Sequence, residues 1–399
     1  MGSPTPLPAS TTRHSYQRIA NTALAAADKI FARDRVLARP LRVHLEVNDF
    51  CNLRCPHCPR ENPASRKNTG NLPLEAVRRL APLFEVANYV GLAGNGEPFL
   101  HPEFRDILEI VTGAGATPSI ICNGTLWKRR GFIDVLPRLG PMIIMVSFDG
   151  GTKETFERWR RPAIFEDVID NLAALKAAKA RHGSVHPIVN FLCCLMKDNM
   201  GETERIVEIA AEHGVSVVVF QNMYPYVEAV ADQRIENLQD SIDAVTRARE
   251  RGARCGVRVE HLPLAFDFDE RKRIERERRA AAQPSAFSNG TAAPNGFSQA
   301  AANGASGAVY HCNNVWEQVH VTVDASVKFC CWWKGPAIGN VLTDDVEELW
   351  NSPEWRAVRA DLTRGVKHDS CLGCHNLVAH DRGLLWKAGK REMKDLLNR

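Results

Sequence analysis

No hydrophobic stretch in this chain is long enough to predict a membrane span or a secretory signal. Nor is there a surplus of either charge. The 51 lysines and arginines stand against 47 acids, for a net charge of +4. Over 399 residues that value predicts no extended nucleic-acid or anionic-membrane surface. Local basic runs, such as Lys128–Arg130 and Arg158–Arg161, read as solvated helix faces or pocket rims. No internal repeat is visible. The first 27 residues contain no acid, carry Arg13 and Arg18, and are rich in Ser, Thr and Ala, which weakly resembles an organellar transit peptide. A disordered tip followed by a packing helix is the preferred reading, and a cytoplasmic location the expectation.

What the chain does have is cysteine, 12 in all. A disulfide framework fits poorly, because such scaffolds are small and secreted, so clustered cysteines point to metal. Cys51, Cys55 and Cys58 form C-x3-C-x2-C on a loop after a strand predicted within Leu41–Val47. Three thiols leave a four-coordinate site open, the arrangement of a reactive centre, whereas structural sites are filled. A zinc knuckle, or cysteines unrelated to one another, is the plainer alternative.

The order of elements gives the loop its setting. Strands are expected at 42–47, 88–93, 117–122, 142–148, 187–195 and 215–221. Helices are expected near 16–37, 73–84, 102–112, 131–137, 165–181, 201–213 and 238–251. Alternating strand and helix predicts an α/β fold, a partial (β/α)6 TIM-like barrel over 41–264, after an N-terminal tail and helix at 1–40. A charged helix-prone run at 269–282 and a segment of Ala, Ser, Asn, Gly and Pro together make a linker over 265–309. A small C-terminal α+β domain at 310–380 and a last helix at 381–399 follow. Three further strand ends carry polar residues: Gly94-Asn95-Gly96-Glu97-Pro98, Cys122-Asn123-Gly124 and Ser147-Phe148-Asp149-Gly150. Each alone is a turn signal. At consecutive strand ends they converge on the mouth of the barrel.

Over roughly residues 41–225 these motifs resemble the radical S-adenosylmethionine (radical SAM) enzymes. The resemblance implies that Cys51, Cys55 and Cys58 ligate a 4Fe–4S cluster whose fourth iron binds SAM. His57 takes the position of an aromatic residue near the adenine. Gly94, Asn95, Gly96 and Glu97 would receive the methionine ammonium, with Asn95 replacing a common glycine. Asn123, Ser147 and Asp149 would contact the ribose and carboxylate.

Cys312, Cys330, Cys371 and Cys374, spaced C-x17-C-x40-C-x2-C, are enough to close a tetrahedral centre. Adjacent Cys331 is the weaker candidate, because its side chain would point to the other strand face. The set resembles the SPASM extension, or its shorter twitch form, and implies one auxiliary 4Fe–4S cluster. A structural zinc site is the alternative. Of the remaining cysteines, Cys193 and Cys194 lie on the fifth strand, so one faces the barrel interior and could donate a hydrogen atom. A buried cysteine is more commonly a small hydrophobe. Arg158, Arg160 and Arg161 could reach an anionic substrate or the SAM carboxylate, with exposed helix charge as the default.

The resemblance implies an oxidoreductase fed by a one-electron donor such as flavodoxin or ferredoxin. SAM is cleaved to methionine and a 5′-deoxyadenosyl radical, which takes a hydrogen atom from the substrate, and the auxiliary cluster accepts an electron. The substrate is expected to be a small molecule, a sugar, amino sugar or natural product, since no peptide-recognition domain fits before residue 41. A peptide- or protein-modifying maturase is the alternative. A non-catalytic iron–sulfur or zinc protein is the alternative of another class, and the glutamate motif argues against it.

Overall fold

The computed structural model describes residues 9–62, 70–262, 309–371, 374 and 377–380. The charged run at 269–282, the linker residues 265–308 and the C-terminal helix expected at 381–399 lie outside them. The chain divides into two compact units, one of Arg42–Leu264 with Val321–Ala325, the other of Met1–Leu41 with Ala265–His320 and Ser326–Arg399.

In chain order the first helix is α1 (Ala9–Ile30), which belongs to the second of these units. The other unit is built on seven strands: β1 (Arg42–Leu45), β2 (Tyr89–Leu92), β3 (Thr117–Cys122), β4 (Ile143–Ser147), β5 (Ile188–Leu195), β6 (Val217–Asn222) and β7 (Arg258–Leu262). They lie side by side in sequence order and all pair in parallel. Among the described residues β1 and β7 do not pair with each other, so the barrel is open. Its helices are α2 (Leu74–Arg79), α3 (Ala81–Phe84), α4 (Phe104–Gly113), α5 (Lys153–Trp159), α6 (Phe165–Arg181), α7 (Thr203–Glu212) and α8 (Leu238–Cys255).

Alternation along the strands explains the layering. Val43, Leu45, Val90, Leu92, Ile120, Ile144, Val146 and Phe191 are buried on one face. The other face carries His44, Ser119, Ser147, Asn190 and Gln221, all only half-buried. In the parallel register Ser147 stands beside Leu192 and Cys194 beside Gln221, so these side chains share that less buried face. Phe148 stacks on Phe191 with ring centroids 4.4 Å apart and locks the end of β4 to β5. Strand β7 was not expected from the sequence. It is a short edge strand whose alternation of Arg, Val, Glu, His and Leu buries little. It starts two residues after Gly256, whose left-handed backbone (φ 77°) ends α8.

In the second unit, α9 (Asn313–Glu317), α10 (Val346–Trp350) and α11 (Pro353–Thr363) join short antiparallel strand pairs, β8 (Val309–His311) with β11 (Val378–His380) and β9 (Ser326–Lys328) with β10 (Gly339–Asn340). The expected first helix, 16–37, instead occupies 9–30. The buried carboxylate of Asp28 accepts the N–H groups of Leu37 and Ala38, both at 2.8 Å, and so bends the chain back. The Arg359 guanidinium is wholly buried, 4.4 Å from the ring centre of Trp350 and 5.8 Å from that of Trp355. It also donates to the carbonyls of Val315 and Asp34. The α1 end of the chain is thereby held against α11.

Candidate functional site

The cysteine loop follows β1, and the chain grips it from three neighbouring strand ends. Gly96 sits directly against it: a Cβ there would lie 2.6 Å from the Asn48 carbonyl oxygen and 2.8 Å from that of Phe50. The next residue, Glu97, donates its N–H to the Phe50 carbonyl at 2.9 Å, while Asn48 Nδ2 donates to the Glu97 carbonyl at 2.8 Å. The motif after β2 therefore fixes the entrance to the loop, and glycine is required by lack of space.

Glu97 is 2% exposed. One carboxylate oxygen accepts the N–H of Asn123 at 2.7 Å and the other that of Phe99 at 3.2 Å. Burial, the largest influence, pushes this carboxyl up to about 7, although those N–H groups and Arg160 oppose it. A carboxylate has about four lone-pair sites, so acceptor capacity remains for an ammonium. Gly94 and Asn95 are exposed beside it.

Asn123 acts on the loop. Its Nδ2 donates to Asn52 Oδ1 at 2.9 Å and approaches Cys51 Sγ at 3.8 Å. Its Oδ1 accepts from the Thr125 N–H and hydroxyl, at 3.0 and 2.7 Å. Asn52 Nδ2 closes the circuit on the Thr125 hydroxyl at 3.0 Å. Neither Asn52 nor Thr125 was singled out in the sequence; their roles arise only once the loops after β1 and β3 become neighbours.

The third grip is the end of β4. Asp149 is fully buried, with one oxygen accepting the Cys194 N–H at 2.7 Å. Its other oxygen lies 2.5 Å from Arg160 Nε and 3.4 Å from His57 Nε2. Burial raises the carboxyl, but Arg160 and His57 outweigh it and leave it below the usual carboxylate range. Arg160 Nη1 also reaches Cys55 Sγ at 3.7 Å. Of the three arginines read as exposed helix charge, Arg158 is exposed and pairs with Asp198 at 3.0 Å. Arg160 departs from that reading because it ends α5 in a non-helical conformation and its side chain is buried against Asp149. The His57 ring packs edge-on to Trp159 with centroids 6.0 Å apart. Ser147 is half-buried at the end of β4.

The donor chemistry fits a sulfur-ligated cluster. All 12 cysteines are free thiols. N–H groups are aimed at the loop's sulfurs, from Leu53 to Cys51 Sγ at 3.3 Å, from Asn123 to the same sulfur, and from Arg160 to Cys55. Such contacts stabilise thiolates bound to iron and tune them. Burial raises both the Cys51 thiol and that of Cys55, the latter to about 11, so deprotonation there needs a metal. Among the described residues no three His, Cys, Asp or Glu side chains are set to hold a single ion.

Cys193 and Cys194 part company. Cys193 is wholly buried, with Asn199 Nδ2 3.8 Å from its sulfur, whereas Cys194 shares the less buried face with Gln221. In the second unit Cys312 is buried, Cys330, Cys371 and Cys374 are half-buried and Cys331 is exposed. Burial pushes the Cys371 thiol up to about 12, with Cys312 and Cys374 adding to the shift. Burial likewise raises Cys330, with Cys331, Cys312 and Cys371 contributing.

The family comparisons agree with this chemistry. The model of the radical SAM superfamily matches residues 45–210, and that of the SPASM iron–sulfur cluster-binding domain matches 312–375. Residues 45–210 are thus a radical SAM domain and residues 312–375 a SPASM domain. The cofactors of these two domains are a 4Fe–4S cluster with SAM in the first and further iron–sulfur binding in the second. Among curated proteins the chain is 21% identical over 349 residues to the antilisterial bacteriocin subtilosin biosynthesis protein AlbA of Bacillus subtilis, covering 83% of this chain and 65% of that one. An AdoMet-dependent heme synthase of Methanosarcina barkeri is 27% identical over 177 residues, 44% of this chain and 48% of that one. The chain thus spans between about half and two thirds of the length of these relatives. Among solved structures, Streptococcus suis SuiB shares the fold with a TM-score of 0.58 at 12% identity, over 84% of this chain and 70% of SuiB. No helix among the described residues is long and apolar enough to cross a membrane.

Proposed function

We propose that this enzyme modifies a peptide by radical chemistry, with Cys51, Cys55 and Cys58 holding the SAM-binding cluster and Cys312, Cys330, Cys371 and Cys374 holding one auxiliary cluster. The observation that carries the choice of substrate is coverage. The likeness to AlbA, named for bacteriocin biosynthesis, runs through 83% of the chain, whereas that to the heme synthase stops at 44%. The shared fold supports the same reading, because SuiB has been solved bound to precursor peptide SuiA. The small molecule expected from the sequence gives way to this alternative.

When bound, the cluster and SAM supply a radical able to take hydrogen from an unactivated carbon. The chain's own residues hold and shield. Gly96 and Asn48 fix the entrance of the cysteine loop, Asn123 orients Asn52 and Cys51, and Glu97 offers its remaining lone pairs to the methionine ammonium. Gly94, Asn95, His57, Ser147 and Asp149 stand at the same strand ends, Asp149 through its partners. Cys194, on the less buried face, is the better placed of the two thiols to return a hydrogen atom. A one-electron donor of the flavodoxin or ferredoxin class completes the system.

The test is anaerobic incubation of the reconstituted enzyme with SAM, dithionite and the short peptide encoded beside its gene. A mass change in the peptide that tracks 5′-deoxyadenosine formation is the expected result. Steady SAM cleavage with an unchanged peptide mass, and turnover of a sugar instead, would restore the small-molecule reading.

A further inference from the structure

The segment that leaves the cysteine loop carries a buried cation, Arg60. It lies on a single 3₁₀ turn, Pro59–Glu61, directly after the last cysteine of the loop, and is 8% exposed. Backbone bonds fix the turn: the Glu61 N–H reaches the Cys58 carbonyl at 2.9 Å and the Asn62 N–H that of Pro59 at 3.1 Å. Among the described residues, however, the guanidinium has neither a hydrogen-bond acceptor nor an ion-pair partner. A guanidinium carries five N–H donors and stays charged in a protein. Burying that charge unpaired is costly, so a position that keeps it is built to receive an anion.

The neighbours of Arg60 bear on which anion. The contacts proposed for SAM stand at the ends of β2, β3 and β4: Glu97 for the ammonium, then Asn123, Ser147 and Asp149, the last with Arg160 beside it. The turn carrying Arg60 leads away from those strands, because Asn62 Nδ2 donates to the Tyr226 carbonyl at 3.1 Å and ties it to the loop after β6. That loop presents Tyr224 and Tyr226, both half-buried, with ring centroids 4.5 Å apart. Such rings offer a peptide apolar area with a polar tip. Burial raises the Cys51 thiol and Arg60 is among the groups that oppose the rise, so its charge is felt at the cysteine loop. The planar fork of a guanidinium matches both oxygens of a carboxylate.

We propose that Arg60 binds a carboxylate of the substrate peptide, an Asp or Glu side chain or the C-terminus, and so selects an acidic peptide at the mouth of the barrel. Arg60 is a specificity-determining residue, and the inference rests on the peptide reading above. SAM brings its own carboxylate, but that group has Arg160 on the β4 side of the site.

The test is anaerobic fluorescence anisotropy with the full-length reconstituted enzyme, SAM and the labelled short peptide encoded beside its gene. Each Asp and Glu of that peptide is changed in turn to its amide, and one further copy carries a C-terminal amide. Wild type should bind one of these copies about tenfold or more weakly than the parent peptide. R60M should bind the parent about tenfold or more weakly and lose nothing further with that same copy, since the two changes remove one interaction. Its iron content and its half-saturating SAM concentration should stay within about twofold of wild type. R60K keeps the charge without the fork and should fall between the two. Every copy losing as much on R60M as on wild type overturns the proposal. So does an R60M protein that binds peptide normally but needs about tenfold more SAM, which assigns Arg60 to SAM instead. If R60M sheds iron, the same comparison is read on R60K, and a full loss there for every copy overturns the proposal too. A wild type that binds neither the parent nor any copy removes the peptide reading itself, and this proposal with it.

Discussion

Replacing Gly96 with alanine probes the join between the glutamate motif and the cysteine loop. The added methyl would lie 2.6 Å from the Asn48 carbonyl oxygen and 2.8 Å from that of Phe50, backbone atoms that cannot rotate away. Overpacking of this kind costs about 1–3 kcal/mol. The strain also threatens two hydrogen bonds, from the Glu97 N–H to Phe50 and from Asn48 Nδ2 to Glu97, worth about 1 kcal/mol each. Gly96→Ala should therefore lose about 3–5 kcal/mol, or shed part of that by displacing the loop. Either way, iron bound at Cys51, Cys55 and Cys58 should fall. Gly131→Ala is the control, since Gly131 has φ 74° with nothing within 4 Å of an added Cβ. That change should cost only the left-handed penalty of about 1–2 kcal/mol and leave iron binding intact. Urea unfolding and iron–sulfide analysis read the two effects. A Gly96→Ala protein with wild-type iron and an unchanged midpoint, or a Gly131→Ala protein equally depleted of iron, would refute the reasoning.

Other perturbations follow from the same geometry. Glu97 has its carboxyl raised by burial to about 7 from an ordinary 4.5, so the folded chain binds more protons than the unfolded chain between those values. Stability of the metal-free protein should be fullest below the unfolded value and fall by about 3 kcal/mol as the pH rises through 7. Glu97→Gln should flatten that slope in urea titrations across the window, and a slope unchanged by the substitution contradicts the assignment. Ala32 follows α1 in the left-handed region at φ 48°, with the Arg33 N–H on the Asp28 carbonyl at 2.9 Å. Ala32→Gly should raise stability by about 1 kcal/mol and Ala32→Val lower it, read as shifts in the thermal midpoint. In the SPASM domain, Cys312→Ala with Cys330→Ala should lower the iron content from about eight to about four per chain. One zinc per wild-type chain would defeat the auxiliary-cluster assignment.

The framework was legible where one segment carries its own signal. Helix α6 occupies the expected 165–181 and strand β3 the expected 117–122, because amphipathic spacing and β-branched alternation settle them locally. Helix α5 and strand β7 were not legible, being short and weakly apolar, with burial supplied by neighbours. The same division runs through the site. The cysteine spacing and Gly94–Glu97 could be read directly, but Arg160 could not. In the sequence it is one of several arginines, and only the turn after Trp159 carries it to Asp149. The clasp among Asn52, Asn123 and Thr125 joins two loops 71 to 73 residues apart in sequence and has no local signature. Alternation said that one of Cys193 and Cys194 faces inward; the register of β5 on β6 sets Cys194 beside Gln221 on the less buried face, while Cys193 is wholly buried.

The central claim is that three thiols, Glu97 and the surrounding strand ends form a site for reductive cleavage of SAM. The direct measurement is 5′-deoxyadenosine formed by the anaerobically reconstituted protein given dithionite and SAM, beside a Cys51→Ala/Cys55→Ala/Cys58→Ala variant. The account expects 5′-deoxyadenosine and methionine in equal amounts from the wild type and none from the variant. A wild-type protein with an intact, reducible cluster that yields no 5′-deoxyadenosine, or a variant that yields as much as wild type, would contradict it.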